Sequence, residues 1–178
     1  MATKKRMGIP VLDISEIEVT ITGTKPLVLL PLGTFKGEKL VDNHDKVAES
    51  LKLYRRHDGQ LGFPAGAFKE AVITAVANLD KETKAAVATG FHVFGEEETN
   101  MVALSGEHHG ESFSFDFKKP KRTITLTLPV LNEWSAILHV QFVASVISGK
   151  NILKFLDDAG RRVGVGHRRP DKGTFEIK

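Results

Sequence analysis

Strict alternation of apolar and polar side chains marks three segments of this 178-residue chain. Isoleucine and valine alternate with polar residues over 16–22, phenylalanine alternates with serine and aspartate over 112–117, and threonine alternates with isoleucine and leucine over 123–128. Successive side chains of a β-strand point to opposite faces, so each segment predicts a strand with one buried face. Lys119 and Pro120 lie between the second and third segments, which together predict a hairpin or a strand pair with one apolar face.

Two other segments repeat apolar residues every three or four positions, which is the spacing of an amphipathic helix. Phe68, Val72 and Leu79 belong to a predicted helix over 65–79, and Pro64 suits its first turn. Ser148 can cap a second helix of about ten residues, which Gly160 ends. Shorter segments predict helices at 45–54 and 83–89 and strands at 91–94, 101–104, 135–143 and 174–177. An acidic hairpin is expected between the strands at 91–94 and 101–104, and residues 27–32 form a short apolar segment that Pro31 interrupts.

The order of these elements defines the predicted architecture. Strand, helix, strand pairs, helix and strand follow one another, which is the βαββαβ plan of a split βαβ domain. The sequence therefore predicts an α+β fold with a ferredoxin-like (RRM-like) core and an inserted β-hairpin. Residues 1–12 are expected to form a flexible N-terminal arm, and residues 13–178 a single domain whose inserted hairpin arm lies near 96–122.

The composition excludes several classes of protein and site. The chain has no cysteine, so it can form no disulfide, thiolate zinc site or cysteine nucleophile. It contains no P-loop and no GxGxxG motif that opens a helix, and we expect no cofactor. The histidines are scattered, and His108 and His109 would face opposite ways on a strand, so no metal site is expected. The chain has no membrane-length apolar run and no secretory signal, which predicts a cytoplasmic protein without membrane contact.

Positive charge is concentrated in three parts of the chain, although the formal net charge is only +3. Lysines and arginines cluster at 4–6, 118–122 and 161–172, whereas acidic residues collect at 96–98 and 157–158. A glycine-rich basic loop before a terminal strand predicts an anion site, and nucleic acid is the expected ligand. The candidate nucleic-acid contacts are Lys69, Lys118, Lys119, Lys121, Arg122, Arg161, Arg162, Gly164, Gly166, His167, Arg168, Arg169 and Lys172.

Each group of candidates also has an ordinary structural interpretation. The arginines near the loop could pair with Asp157, Asp158 or Asp171 in a solvated turn. Lys69 lies near the end of its helix that attracts anions, but it could equally be an exposed lysine beside Glu70. The phenylalanines at 112–117 could stack on bases, although strict alternation favours a place in the core or at a subunit interface.

Two short motifs resemble those of the RAMP proteins of CRISPR systems. Pro64, Gly66, Phe68 and Lys69 match the start of the first RAMP helix, which carries a Pro-Gly-Ser-Ser-Leu-Lys-Gly type motif, and Glu70 replaces its second glycine. The segments 164–167 (Gly-Val-Gly-His) and 173–175 (Gly-Thr-Phe) are similar to the glycine-rich loop after the second RAMP helix. Together with Arg169-Pro170, these segments also resemble the end of a group of phage-encoded proteins.

The resemblance implies a Cas7-like, RRM-related protein that contacts the RNA backbone. We therefore expect a non-enzymatic protein that binds RNA or single-stranded DNA mainly through phosphates, forms homo-oligomers, and works in the host cytoplasm if it is phage-encoded. One alternative is a homo-oligomeric phage assembly protein without nucleic-acid contact. A second alternative is a metal-independent ribonuclease of the Cas6 kind, with His167 as its general base.

Overall fold

The computed structural model describes residues 13–30, 42–118 and 121–178, which form ten strands and four helices. The strands are β1 (Ile14–Gly23), β2 (Leu27–Val28), β3 (His44–Asp45), β4 (Gly62–Pro64), β5 (Phe91–Phe94), β6 (Met101–Ser105), β7 (His108–Lys118), β8 (Lys121–Leu131), β9 (Ser135–Val143) and β10 (Phe175–Ile177). The helices are α1 (Val47–Leu53), α2 (Ala65–Ala75), α3 (Lys81–Gly90) and α4 (Gly149–Arg162). The fold is therefore α+β, as the sequence predicts. The expected arm at 1–12 and the candidate Lys119 lie outside the described residues.

The larger of two sheets has six antiparallel strands in the order β10-β1-β9-β6-β4, and β5 also pairs with β9. The β1–β9 ladder forms its centre and runs from Ile14 opposite Val143 to Thr22 opposite Ser135. The last strand, β10, pairs with the other edge of β1. The first and last predicted strands of the fold are thus neighbours.

The segment around the acidic residues differs from the expected hairpin. β5 and β6 both pair antiparallel with β9, β5 with Phe142 to His139 and β6 with Ala136 and Ser135. They therefore run in the same direction, one after the other, along a single edge of β9. The intervening loop closes on itself, because the Glu96 N–H donates to the Met101 carbonyl at 3.0 Å and the Asn100 N–H to the Glu96 carbonyl at 2.9 Å. The hairpin prediction was wrong because spacing and charge do not reveal the partner of a strand.

Helices cover one face of the six-stranded sheet. On α2 the buried residues Phe68 and Val72 recur at helical spacing, and on α4 Ile152 and Leu156 do the same. These side chains pack with the inward residues of β1 and β9 in one large core. The opposite face of the sheet is open to solvent, since Glu16, Glu18 and Thr20 of β1 are exposed.

The second sheet has four strands around β8, with β7 on one side and the short strands β2 and β3 on the other. β7 and β8 pair over their whole length, with Phe113 opposite Leu126 and Phe115 opposite Ile124. The expected pairing of these two alternating segments is therefore confirmed. We call β7 and β8 together the ribbon. Its apolar face forms a separate small core of Val28, Phe113, Ile124, Leu126, Leu128 and Val130.

The helix boundaries depart from the sequence-based prediction in two places. α2 ends at Ala75 rather than near Leu79, and α4 continues past Gly160 to Arg162. Ser148 caps α4 as expected, because its hydroxyl accepts the Asn151 N–H at 3.2 Å. None of the helices in the described ranges is long and apolar enough to cross a membrane.

Candidate nucleic-acid interface

The C-terminal loop, residues 163–174, is held to the rest of the protein by its backbone. Gly164, Gly166 and Gly173 have φ angles of 71°, 79° and 70°, a region that L side chains rarely adopt. The Val165 N–H donates to the Gly173 carbonyl at 2.9 Å, and the His167 N–H donates to the Val28 carbonyl at 3.2 Å. A Cβ on Gly166 would lie 2.9 Å from the Val28 carbonyl oxygen. The glycines thus let the loop pack against β2.

The predicted contact at Gly164 is buried, and its N–H has a partner within the protein. That N–H donates to the Ala159 carbonyl of α4 at 2.9 Å. Gly166 is half-buried against Leu27, whose Cδ1 would lie 2.6 Å from an added Cβ. The geometry of both glycines is explained by contacts inside the protein, without a ligand.

Arg161 and Arg162 are ion-paired on the last turns of α4. Arg161 Nε lies 2.8 Å from Asp157 Oδ2, and Arg162 pairs with Asp158 and donates to the Ala75 carbonyl at 3.1 Å. The hydrogen bond from Arg161 lowers the pKa of Asp157, although partial burial of the carboxyl opposes the shift. These pairs match the structural interpretation of the two arginines, because carboxylates already neutralise their charge.

Arg168 lies across the aromatic side of the ribbon. Its Nη2 donates to the Ser114 carbonyl at 2.7 Å, and its guanidinium carbon lies 5.6 Å from the ring centre of Phe113 and 5.8 Å from that of Phe115. A guanidinium at this distance from an aromatic ring is attracted by its electron-rich face. Arg168 and Ser114 are 54 residues apart in sequence, so the structure brings the C-terminal loop into direct contact with the ribbon.

His167 also contacts the aromatic side of the ribbon. Its ring centre lies 5.3 Å from that of Phe115, with 31° between the ring planes. Its Nε2 atom is buried without a hydrogen-bond partner among the described residues. Burial and, secondarily, the positive charge of Arg168 lower the pKa of His167. The imidazole is therefore neutral at pH 7 and is shielded from solvent at Nε2.

The other cations of the C-terminal loop are more accessible. Arg169 is exposed, and within the described parts of the chain its guanidinium makes no hydrogen bond or ion pair. Lys172 Nζ lies 3.6 Å from a carboxylate oxygen of Glu111 on β7. Lys25, which the sequence analysis did not select, donates to the Pro170 carbonyl at 3.3 Å. Its only sequence signal is the motif Gly23-Thr24-Lys25-Pro26, far from the loop that it joins.

The tip of the ribbon carries the second group of predicted cations. Lys118 and Lys121 pair across the ribbon, and the Arg122 guanidinium carbon lies 5.5 Å from the ring centre of Phe117. A shallow groove of about 600 Å³ lies at this tip. It is lined by Asp116, Phe117, Lys118, Lys121, Arg122 and Thr123.

Side chains alternate between the two faces of β7, and one of these faces links the two groups of cations. Phe113, Phe115 and Phe117 share one face of the strand, with Arg168 over the first two and Arg122 over the third. Four residues of a strand span about 13 Å, so these guanidinium groups lie along one short surface. Lys118 and Lys121 extend it at the tip, although alternation places them on the opposite face of the ribbon. We call the set Lys118, Lys121, Arg122, Arg168, Arg169 and Lys172 the basic strip.

Lys69 does not contact this strip. Its Nζ lies 5.6 Å from the ring centre of Phe91 at the start of β5, on the helical side of the six-stranded sheet. Burial lowers the pKa of Lys69, while the charge of Glu70 opposes the shift. Among the described residues, no group of three or more histidines and carboxylates could hold a metal ion.

Comparison with known proteins identifies a likeness of fold. No protein-family model matches the sequence, and no curated protein matches it. The fold is similar to that of a chain in the cryo-EM structure of the type III-B Cmr-beta bound to cognate target RNA, with 15% identity, a TM-score of 0.56 and coverage of 93% of this chain. This chain spans 59% of the length of that neighbour. The crystal structure of Cmr6 from Pyrococcus furiosus is a more distant match, with 10% identity, a TM-score of 0.46 and coverage of 93% of this chain and 98% of the other. The described chain thus has a fold similar to a chain of type III-B Cmr-beta, in agreement with the RAMP-like fold expected from the sequence.

Proposed function

We propose that this protein binds RNA or single-stranded DNA along the basic strip, mainly through phosphates. The observation that carries the proposal is the meeting of two cationic segments, the C-terminal loop and the ribbon tip, along one aromatic face of β7. Cations that follow a backbone beside aromatic rings are typical of proteins that bind single strands. The fold neighbour is a chain of a Cmr-beta structure determined bound to cognate target RNA, which supports the same class of ligand.

We also propose that the six-stranded sheet contains a ferredoxin-like core, into which the ribbon is inserted. The order β10-β1-β9-β5, with α2 between β1 and β5 and α4 between β9 and β10, supports this assignment. The glycine pattern of the C-terminal loop supports a relation to the phage-encoded group.

The test is fluorescence anisotropy with labelled single-stranded RNA and DNA oligonucleotides across a salt series. Lys121→Ala combined with Arg122→Ala removes two cations of the basic strip. Each phosphate contact to a single strand contributes about 0.7 to the slope of log K against log salt, so we expect a slope shallower by about 1.4. The matched control is Lys150→Ala combined with Lys154→Ala, which removes the same charge from the exposed side of α4. Absence of wild-type binding at low salt, or an equal loss in the control, would overturn the proposal.

Self-association is a second candidate function, and the open face of the six-stranded sheet favours it. Ile14, Phe94 and Ile137 are 58%, 41% and 52% exposed. Glu16 and Glu18 make this face acidic, so it complements the basic strip of a second copy. Light scattering of the wild type and of Ile137→Lys, with and without an oligonucleotide, tests this. We expect the wild type to self-associate and the variant to be monomeric; a monomeric wild type would contradict it.

We propose binding without cleavage. The position of His167 supports this choice, because a general base must reach the 2′-hydroxyl of RNA and its Nε2 is buried beside Phe115. Incubation with single-stranded RNA in EDTA is expected to leave the RNA intact. Cleavage that is abolished by His167→Phe would favour the ribonuclease alternative instead.

A further inference from the structure

Arg168 differs from the other cations of the basic strip in having several contacts within the protein. It donates to the Ser114 carbonyl at 2.7 Å and lies against the rings of Phe113 and Phe115. Its backbone has a φ angle of 62°, in the left-handed region that is uncommon for a residue with a side chain. Strain of this kind persists where surrounding contacts hold the residue in place. The hydrogen bond and the two ring contacts place the side chain against the ribbon without a ligand.

The carbonyl that Arg168 binds lies on the outer edge of the ribbon. Ser114 is opposite Thr125, but the Thr125 N–H donates to Asp42 at 2.7 Å, away from β7. In an antiparallel ladder such a pair is of the type that exchanges no hydrogen bonds, so the Ser114 carbonyl points away from β8. Arg168 thus satisfies an edge carbonyl of β7. A phosphate that recruited this guanidinium would have to compete with that bond and with both rings.

We propose that Arg168 is a positioning residue, which holds the ribbon against the C-terminal loop so that Arg169 and the cations of the ribbon tip contact the same strand of nucleic acid. The inference rests on the proposed function and divides its residues into those that bind phosphate and one that fixes their spacing. Arg169, the next residue, is exposed and makes no polar contact within the described ranges, so its guanidinium is available to a ligand.

Besides the backbone link of the loop to β2, which itself pairs with β8, few side-chain contacts join the two parts. Apart from those of Arg168, the polar and aromatic side-chain contacts between them among the described residues are the tilted ring contact of His167 with Phe115 and the Lys172–Glu111 pair at 3.6 Å, which is partly exposed. Arg168 is exposed as well, but its guanidinium combines a hydrogen bond with contacts to two rings, whereas an exposed ion pair by itself contributes little to stability. Two groups of cations bind one strand more tightly when their separation is fixed in advance, because less conformational freedom is lost on binding.

The experiment uses Arg168→Lys, which keeps the charge but loses the planar group that lies against the rings. Arg168→Ala removes both the charge and the planar group, and Arg169→Ala is the control on the neighbouring residue. Since the chain has no cysteine, Thr123→Cys on the ribbon and Lys154→Cys on α4 provide two unique sites for spin labels. Pulsed electron paramagnetic resonance then gives the distribution of distances between the ribbon and the helical layer. Trp134 fluorescence confirms that each variant is folded.

We expect both substitutions of Arg168 to broaden the distance distribution, and Arg169→Ala to leave it narrow. Affinity for a labelled RNA oligonucleotide should fall on the order of tenfold in Arg168→Lys and Arg168→Ala, with the wild-type salt slope. Arg169→Ala should instead lower the slope by about 0.7, the contribution of one phosphate contact.

Arg168 would be a phosphate contact instead if Arg168→Lys kept the wild-type affinity and a narrow distribution while Arg168→Ala lost about 0.7 from the slope. A wild type that binds no oligonucleotide would refute the proposed function. The distance distributions would still decide whether Arg168 holds the ribbon, so the two failures are distinguishable.

Discussion

His167 is the candidate whose surroundings differ most from its sequence context. Beside Arg168, Arg169 and Lys172 it suggests a solvated cation. In the fold its ring lies at a tilt against that of Phe115, and burial, with a smaller contribution from Arg168, lowers its pKa. The neutral imidazole of His167 is therefore part of the contact between the C-terminal loop and the ribbon.

A pH dependence of stability follows from the lowered pKa of His167. In the unfolded chain its pKa returns to about 6.5, so below that pH the unfolded state binds a proton that the folded state resists. The contribution of the neutral ring to stability is thus present above about pH 6.5 and is lost as the pH falls towards the lower folded pKa. We expect the free energy of unfolding to fall more steeply between pH 7 and pH 5 in the wild type than in His167→Phe, measured by urea unfolding. Parallel pH profiles would contradict this.

The sequence identifies the residue types of the site better than their roles. Arg161 and Arg162 look like Arg168 and Arg169 in the sequence, yet two of the four are paired with aspartates one helical turn away. The i, i+4 spacing of Asp157 and Asp158 from these arginines was visible and supported the structural interpretation. The position of Arg168 over β7 was not visible in the sequence, because it depends on a contact between residues far apart in the chain.

At the level of elements, α4 shows why a glycine near the end of a helix is an ambiguous signal. The sequence suggests that Gly160 ends the helix, but the helix continues to Arg162. Gly160 instead faces β10, and a Cβ there would lie 2.4 Å from the Phe175 carbonyl oxygen. The residue is needed for the close approach of helix and strand, which local helix propensity does not report.

Two helical glycines are therefore expected to respond to alanine in opposite ways. Gly66 in α2 has no neighbour within 4 Å of an added Cβ, so Gly66→Ala should raise the free energy of unfolding by about 0.5–1 kcal/mol. Gly160→Ala should lower it by about 1–3 kcal/mol, because the methyl group collides with Phe175. Urea unfolding followed by Trp134 fluorescence measures both. A gain in stability for both variants would show that helix propensity dominates and would refute the packing argument.

In the whole molecule, the buried residues form two cores joined through neighbouring residues. Leu27 and Leu131 belong to the large core beneath the six-stranded sheet, while the adjacent Val28 and Val130 belong to the small core of the ribbon. The large core includes residues of α2 and α4, whereas the small core has six buried residues among those that the structure describes. The ribbon should consequently open more readily than the rest of the fold.

Matched leucine substitutions test this division. Leu126 in the small core and Leu138 in the large core are both fully buried, and truncation to alanine typically costs about 2–5 kcal/mol. We expect Leu126→Ala to speed hydrogen exchange in β7 and β8 while β1 and β9 stay protected, and Leu138→Ala to weaken protection in both sheets. Equal loss of protection across the molecule in Leu126→Ala would show a single cooperative unit.

The type of each helix or strand was predictable over much of the chain, because side-chain periodicity is a local property. The pairing of the strands was less predictable from the sequence. The pairing of β7 with β8 followed from adjacency in sequence, and the N-terminal capping of α4 followed from Ser148. The shared edge of β9, where β5 and β6 follow each other, could not be read from either strand alone. Short strands such as β3 carry too few residues to show a period.

The central β1–β9 ladder has a consequence for synthesis on the ribosome. The partners nearest in sequence, Thr22 and Ser135, are 113 residues apart (135 minus 22), and the other neighbour of β1 is β10, further still along the chain. At about 5–20 residues per second, β1 waits on the order of ten seconds for its first partner strand to be translated. During that time the nascent chain carries a strand with both edges unpaired, a form that recruits chaperones or aggregates.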